Sequence, residues 1–261
     1  MTRKSICLGI AVIAVLASGS AVLAQSPYRA QQPPPQTVSK GLDAMQRAAT
    51  GNKYLFVFFW KEKTQQTSTL WNVFQAATNK LADRADAVQI NVSDPGESPM
   101  VAKFSIAGSP MPLVLAIAPN GAITKGFPGR FDENQLQQAF VSSCTAECLK
   151  ALQDRKLVVL CVEHPAPQVR QVSLQRGVQE FAGEEPYSRN SKVVVLNADD
   201  PTEAGFLKSL QVDPRTTAPV TVLMAPPGSV IGTFVGNVTK AEMVAKLKAA
   251  SSCGPGCSCH K

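Results

Sequence analysis

A nineteen-residue segment occurs twice in this chain of 261 residues, and the repeat limits the possible folds more than any single motif. Met111 to Gly129 reads MPLVLAIAPNGAITKGFPG, and Ala218 to Gly236 reads APVTVLMAPPGSVIGTFVG. At a constant offset of 107 they share Pro112/Pro219, Ala118/Ala225, Pro119/Pro226, Gly121/Gly228, Phe127/Phe234 and Gly129/Gly236. Four of these six identities are proline or glycine, the residues that fix backbone geometry, so the duplication is one of chain path. The offset continues into a following helix, where Asp132 with Gln135 and Thr239 with Glu242 form capping pairs. Leu136 and Phe140 then match Met243 and Leu247 on one apolar helical face.

Each half reads as strand, helix, strand, helix, hairpin and closing helix. In the first, Tyr54 to Trp60 is a continuous apolar and aromatic run suited to a central strand, and Leu70, Phe74, Ala77 and Leu81 keep helical spacing. Ala87 to Val92 is a second strand, a short helix spans Pro99 to Phe104, and Leu113 to Ile117 pairs with Ala122 to Phe127 as a hairpin. The second half repeats the order, with strands at Leu157 to Val162 and Lys192 to Asn197 and helices at Gln168 to Phe181 and Glu203 to Leu210. Its hairpin turns at Pro226 to Gly228. The expected fold class is α/β, two domains each with a mixed sheet flanked by helices, over residues 38–153 and 154–250.

Ahead of these halves, Arg3 and Lys4 precede an apolar stretch from Ile6 to Leu16, and small residues lead to Ala24. That pattern is a cleavable export signal over residues 1–24, giving a periplasmic or secreted protein. Residues 25–37, with Pro33, Pro34 and Pro35, hold too little apolar surface to pack and read as an extended linker. No later apolar run reaches the ~20 residues of a membrane span. Loss of Arg3 and Lys4 leaves 24 basic against 19 acidic residues, scattered along the chain, which gives nucleic-acid binding little support. With two histidines and no HExxH, GxSxG, P-loop or GxGxxG, the zincin, serine-hydrolase and nucleotide-binding classes lack their required residues.

The strand end Phe59 and Trp60, followed by Lys61 to Lys63, resembles the approach to the active site of thioredoxin. Pro112 and Pro219, each nine residues before its hairpin glycine, resemble that family's cis-proline loop. The chain therefore looks like two thioredoxin-like domains in tandem, and the resemblance implies cis bonds at Met111–Pro112 and Ala218–Pro219. Where the family carries its two redox cysteines, four residues after the tryptophan, this chain has Thr64, Gln65, Gln66 and Thr67. A hydroxyl cannot form a mixed disulfide, so dithiol exchange is not expected there. In the second half Cys161 lies within its strand as a small core residue, and His164, before Pro165, reads as a solvated loop histidine.

Five further cysteines cluster after the repeats. Ser142-Ser143-Cys144 with Cys148 parallels Ser251-Ser252-Cys253 with Cys257, and Cys259 and His260 follow. If residues 144–148 are helical, the two Cβ atoms stand ~5–6 Å apart, beyond disulfide reach. Gly254 to Gly256 instead let Cys253 and Cys257 approach freely. The tail, residues 251–261, thus suits disulfide staples, an accessory redox role, or a Cu(I) or Zn(II) site built from soft sulfur and imidazole donors. The leading expectation is a protein-binding or scaffolding module without catalytic residues; the alternative is a thiol-based metal or redox protein acting through its C-terminal cysteines.

Overall fold

The computed structural model describes residues 39–164 and 175–252. The expected export signal and linker, and the tail candidates Cys253, Cys257, Cys259 and His260, lie outside the described residues. In the first half, α1 (Lys40–Thr50), β1 (Tyr54–Trp60), α2 (Gln65–Asn79), β2 (Ala85–Asn91), a 3-10 turn (Pro95–Glu97), α3 (Ser98–Lys103), β3 (Leu113–Ile117), β4 (Ile123–Pro128) and α4 (Glu133–Gln137) follow in order. The second half runs α5 (Ser143–Gln153), β5 (Leu157–Glu163), α6 (Arg176–Gly183), α7 (Tyr187–Asn190), β6 (Ser191–Asn197), a 3-10 turn (Pro201–Glu203), α8 (Ala204–Ser209), β7 (Val220–Ala225), β8 (Ser229–Val235) and α9 (Lys240–Ser252).

Two four-stranded sheets result, ordered β2-β1-β3-β4 and β6-β5-β7-β8. In both, the first strand pairs parallel with the second and antiparallel with the hairpin. Being central, β1 and β5 have neighbours on both sides and helices on both faces, which explains their near-continuous apolar sequences. On one face of the first sheet, Leu70, Phe74 and Ala77 of α2, with Leu81 just after it, meet Phe56, Phe58 and Leu136. Ala44 and Ala48 of α1 and Met100 of α3 close the other face over Val57 and Phe59. The second sheet repeats both layers, with Val178 and Phe181 of α6 and Met243 of α9 on one face.

The repeated glycines and prolines do the same work twice. Gly121 and Gly228 take positive φ in the hairpin turns, at 83° and 146°. Gly129 and Gly236 take φ of 77° and 84°, and each donates its N–H to the carbonyl of the repeat's proline, Pro112 or Pro219, at 2.8 Å. Both capping pairs form: Asp132 with Gln135 in full, and Thr239 with Glu242 through bonds of 2.8 and 3.3 Å.

Two expectations need correction. Met111–Pro112 is cis, but Ala218–Pro219 is trans, and among the described residues the other cis bonds are Glu185–Pro186 and Pro226–Pro227. Trans is the default by ~0.5–1 kcal/mol, and the second loop makes its closing Gly236 to Pro219 bond without the other isomer. The parallel between the two SSCxxxC segments also fails in space. Ser142 caps a new helix, its side chain accepting from Thr145 N, whereas Ser251 and Ser252 end α9. Helix α5 carries Cys148, Ala151 and Leu152 in one stripe against Val158, Leu160 and Val194 of the second sheet. A boundary at 153/154 therefore separates this helix from the strands it covers.

Candidate functional site

The register that pairs Phe59 with Leu113 brings Pro112 beside Trp60, at the end of β1 where the chain turns into α2. Thr64 caps that helix: its Oγ1 accepts from Thr67 N at 3.1 Å, leaving the Thr64 and Thr67 hydroxyls 3.0 Å apart. Thr67 is 7% exposed while Gln65 and Gln66 face solvent. A positive helix end would lower the pKa of a thiol placed there. In this chain that field meets a hydroxyl pair already spent on capping. Alongside lies a groove of about 250 Å³ lined by Trp60, Lys63, Thr67, Ser68, Trp71 and Gln89. Trp71 is fixed in its wall, edge-on to Phe58 at 5.4 Å and stacked on Phe74 at 5.3 Å.

The corresponding strand end of the second half is built differently. Glu163 stands where Trp60 does, since β5 matches β1 at an offset of 103. Burial raises the Glu163 carboxyl above the ordinary carboxylate range. His164 is not a free loop histidine: Nδ1 lies 2.7 Å from Asp199 Oδ1 and Nε2 lies 3.0 Å from the Thr216 carbonyl oxygen. The ring thus ties the end of β5 to the turn after β6 and to the loop before β7. The sequence reading missed Asp199 because it lies 35 residues away.

Of the sequence-chosen cysteines, the structure describes Cys144, Cys148 and Cys161, all as free thiols. Cys144 is half-buried and Cys148 buried on the inner face of α5, which is helical through both. The Cys144 thiol is pushed far above its ordinary range, first by its hydrogen bond with Cys148, then by burial and by the carboxylates of Glu203 and Glu147. Burial, with Glu163 nearby, pushes Cys161 up to about 12. Thiols held protonated are weak nucleophiles and weak ligands. Among the described residues no three His, Cys, Asp or Glu side chains are grouped to hold a metal. Two sulfurs of this kind do not supply a tetrahedral Zn(II) set.

A second repeat, overlooked in the sequence, supports the first helix of each half. Asn91, Asp94, Pro95 and Glu97 match Asn197, Asp200, Pro201 and Glu203 at an offset of 106. Buried Glu97, 4% exposed, accepts from Ser39 Oγ at 2.6 Å, Lys40 N at 2.8 Å and Gly41 N at 3.1 Å. Its negative charge thereby satisfies the positive end of α1. Glu203, equally buried, receives Thr145 Oγ1 at 3.4 Å at the start of α5. Cys144 occupies the place of Gly41, where a Cβ would stand 2.8 Å from Met100 Cγ. The NxxDPxE spacing was the available signal, and it marks scaffold rather than chemistry.

No protein-family profile matches the sequence, and no curated protein matches it. Solved structures similar in part include thioredoxin O2 from Arabidopsis thaliana in the oxidized state, at 16% identity and a TM-score of 0.32, covering 39% of this chain and 85% of that one. The germline-specific thioredoxin Deadhead from Drosophila melanogaster aligns at 18% identity and a TM-score of 0.32, covering 39% and 91%. StoA from Bacillus subtilis aligns at 14% identity and 0.29, covering 34% and 82%. Two mixed sheets of one strand order, each with helices on both faces and a proline-led hairpin, make this chain a tandem of two thioredoxin-like domains lacking the CxxC pair.

Proposed function

We propose that this chain is an exported protein, periplasmic or secreted, that binds protein partners instead of exchanging disulfides. The observation that carries the reading is the Thr64 and Thr67 pair at the start of α2, its hydroxyls 3.0 Å apart in the dithiol position. Neither hydroxyl can become a thiolate, so no electron pair is available there for attack on a disulfide. The protonated state of Cys144 and Cys161 supports the same reading for the described thiols. What persists at the site is a binding surface: the groove between Trp60 and Trp71 has an apolar wall, with Lys63, Ser68 and Gln89 as polar contacts.

Insulin reduction driven by dithiothreitol or a thioredoxin reductase tests the chemistry. The mature chain is expected to give the uncatalysed rate, and turnover above it would overturn the reading. Partner binding is tested by affinity capture from the chain's own extracytoplasmic fraction, comparing the native protein with Trp60→Ala. Partners retained equally by both would remove the groove from the account. Fractionation with N-terminal sequencing is expected to place the mature start after Ala24.

A further inference from the structure

The outer edge of each sheet beyond the hairpin is a row of backbone donors and acceptors, and the two halves treat it differently. On β4, Pro128 has no N–H to offer and Lys125 places a charge on the strand. Helix α5 lies beside it, and the Gln153 carboxamide closes the backbone of Ile123, accepting its N–H at 2.9 Å and donating to its carbonyl at 2.7 Å. Helix α9 likewise lies beside strand β8, but the strand has no such guard in its own sequence. Its sequence, Ser229 to Val235, contains no charge and no proline. Val235 replaces Pro128 and Gly232 replaces Lys125 at the repeat offset of 107. Of the three exposed large apolar side chains among the described residues, two are on this strand, Val230 at 46% and Val235 at 67%.

The direction of the free groups follows from the register. Gly236 N donates to Pro219 O, so Gly236, Phe234 and Gly232 face β7, and Thr233 and Val235 between them face outward. An antiparallel partner centred on Thr233 would set Thr233 against its own counterpart and Val235 against Ile231. Those cross-strand pairs are β-branched and uncharged, so the strand complements itself without like-charge contacts.

We propose that β8 is a self-association edge, pairing antiparallel with β8 of a second copy about a two-fold axis at Thr233 to join two second-half sheets into one. A single strand pair covers less than the ~800 Å² per partner of a standard interface, so the dimer is weak and concentration-dependent.

Sedimentation of the mature chain from about 1 to 500 μM under reducing conditions, which keep cysteines from cross-linking copies, tests this. The mass is expected to rise toward twice the monomer, and Val235→Pro, which copies Pro128 of the sibling strand, to hold it at the monomer throughout. Val235→Lys, which keeps the backbone donor, is expected to do the same. Amide exchange gives the residue-level signature: Thr233 and Val235 gain protection with concentration, while Gly232 and Phe234 are protected at every concentration. A monomer at all concentrations overturns the proposal, as does a dimer unaffected by both variants. Concentration-independent protection of Thr233 and Val235 also overturns it, because the edge would then be covered within one chain.

Discussion

The two halves share a backbone path and diverge at its ends. At the end of β1 the first half has a tryptophan-walled groove beside the Thr64 cap, while at the end of β5 the second has Glu163 and a histidine bound on both nitrogens. At the hairpin edge the difference recurs, because β4 is closed by Gln153 and Pro128 whereas β8 carries neither a proline nor a charge. Strand order and glycine turns are thus what duplication kept, and strand ends and edges are where each copy acquired its own chemistry. That accords with binding groups sitting on loops held by a rigid scaffold.

The largest expected effect separates the halves at their helix packing. Gly177 of α6 lies so close to Val238 that a Cβ would press into its carbonyl oxygen and stand 2.8 Å from Thr239 Cα. Gly177→Ala should therefore cost about 3 kcal/mol, since backbone cannot yield as a side chain does. In urea unfolding the second half should melt first, and an unshifted midpoint would mean that α6 can move away from Val238. Next, Glu97→Gln should cost about 2 kcal/mol through loss of a charged acceptor with three donors. Glu203→Gln, with its longer bond to Thr145, should cost less. Equal losses would show the two turns to be energetically alike.

A pH effect belongs to the second half. The Cys161 thiol keeps its proton in the folded state up to about 12, whereas an unfolded cysteine releases it near 8.5. Between those values the folded state binds more protons, so stability is full below about pH 8.5 and falls as pH rises, by at most ~1.4 kcal/mol per pH unit. Urea midpoints from pH 8 to 10.5 should decline, and Cys161→Val should lessen the slope. The smallest effect is Thr64→Ala, expected to cost about 1 kcal/mol as a lost helix cap. A loss confined to first-half probes would fit the cap role, while a changed partner affinity without lost stability would place Thr64 in the binding surface.

The elements were legible where local pattern and burial agree. Tyr54–Trp60 and Leu113–Ile117 have the bounds that the sequence predicted, because an unbroken apolar run ending at charged or turn residues leaves little choice of register. Phe74 and Ala77 fell on the buried face of α2 because helical spacing selects one stripe. Helix α5 was legible as a helix, but periodicity does not say which of two sheets a stripe will meet, and its Cys148 stripe packs on the second sheet and not the first. The His164 contacts were illegible for a related reason: Asp199 and Thr216 reach it from separate loops, 35 and 52 residues away.

By itself the sequence determined two copies of one chain path and the absence of a dithiol after Trp60, because proline, glycine and the Thr64 to Thr67 segment act locally. Tertiary structure alone decided that Gln153 closes β4 and that Glu97 is spent on the start of α1. Both depend on which groups meet across 30 or more residues, where desolvation and hydrogen bonding are set by position in space and not by neighbours in the chain.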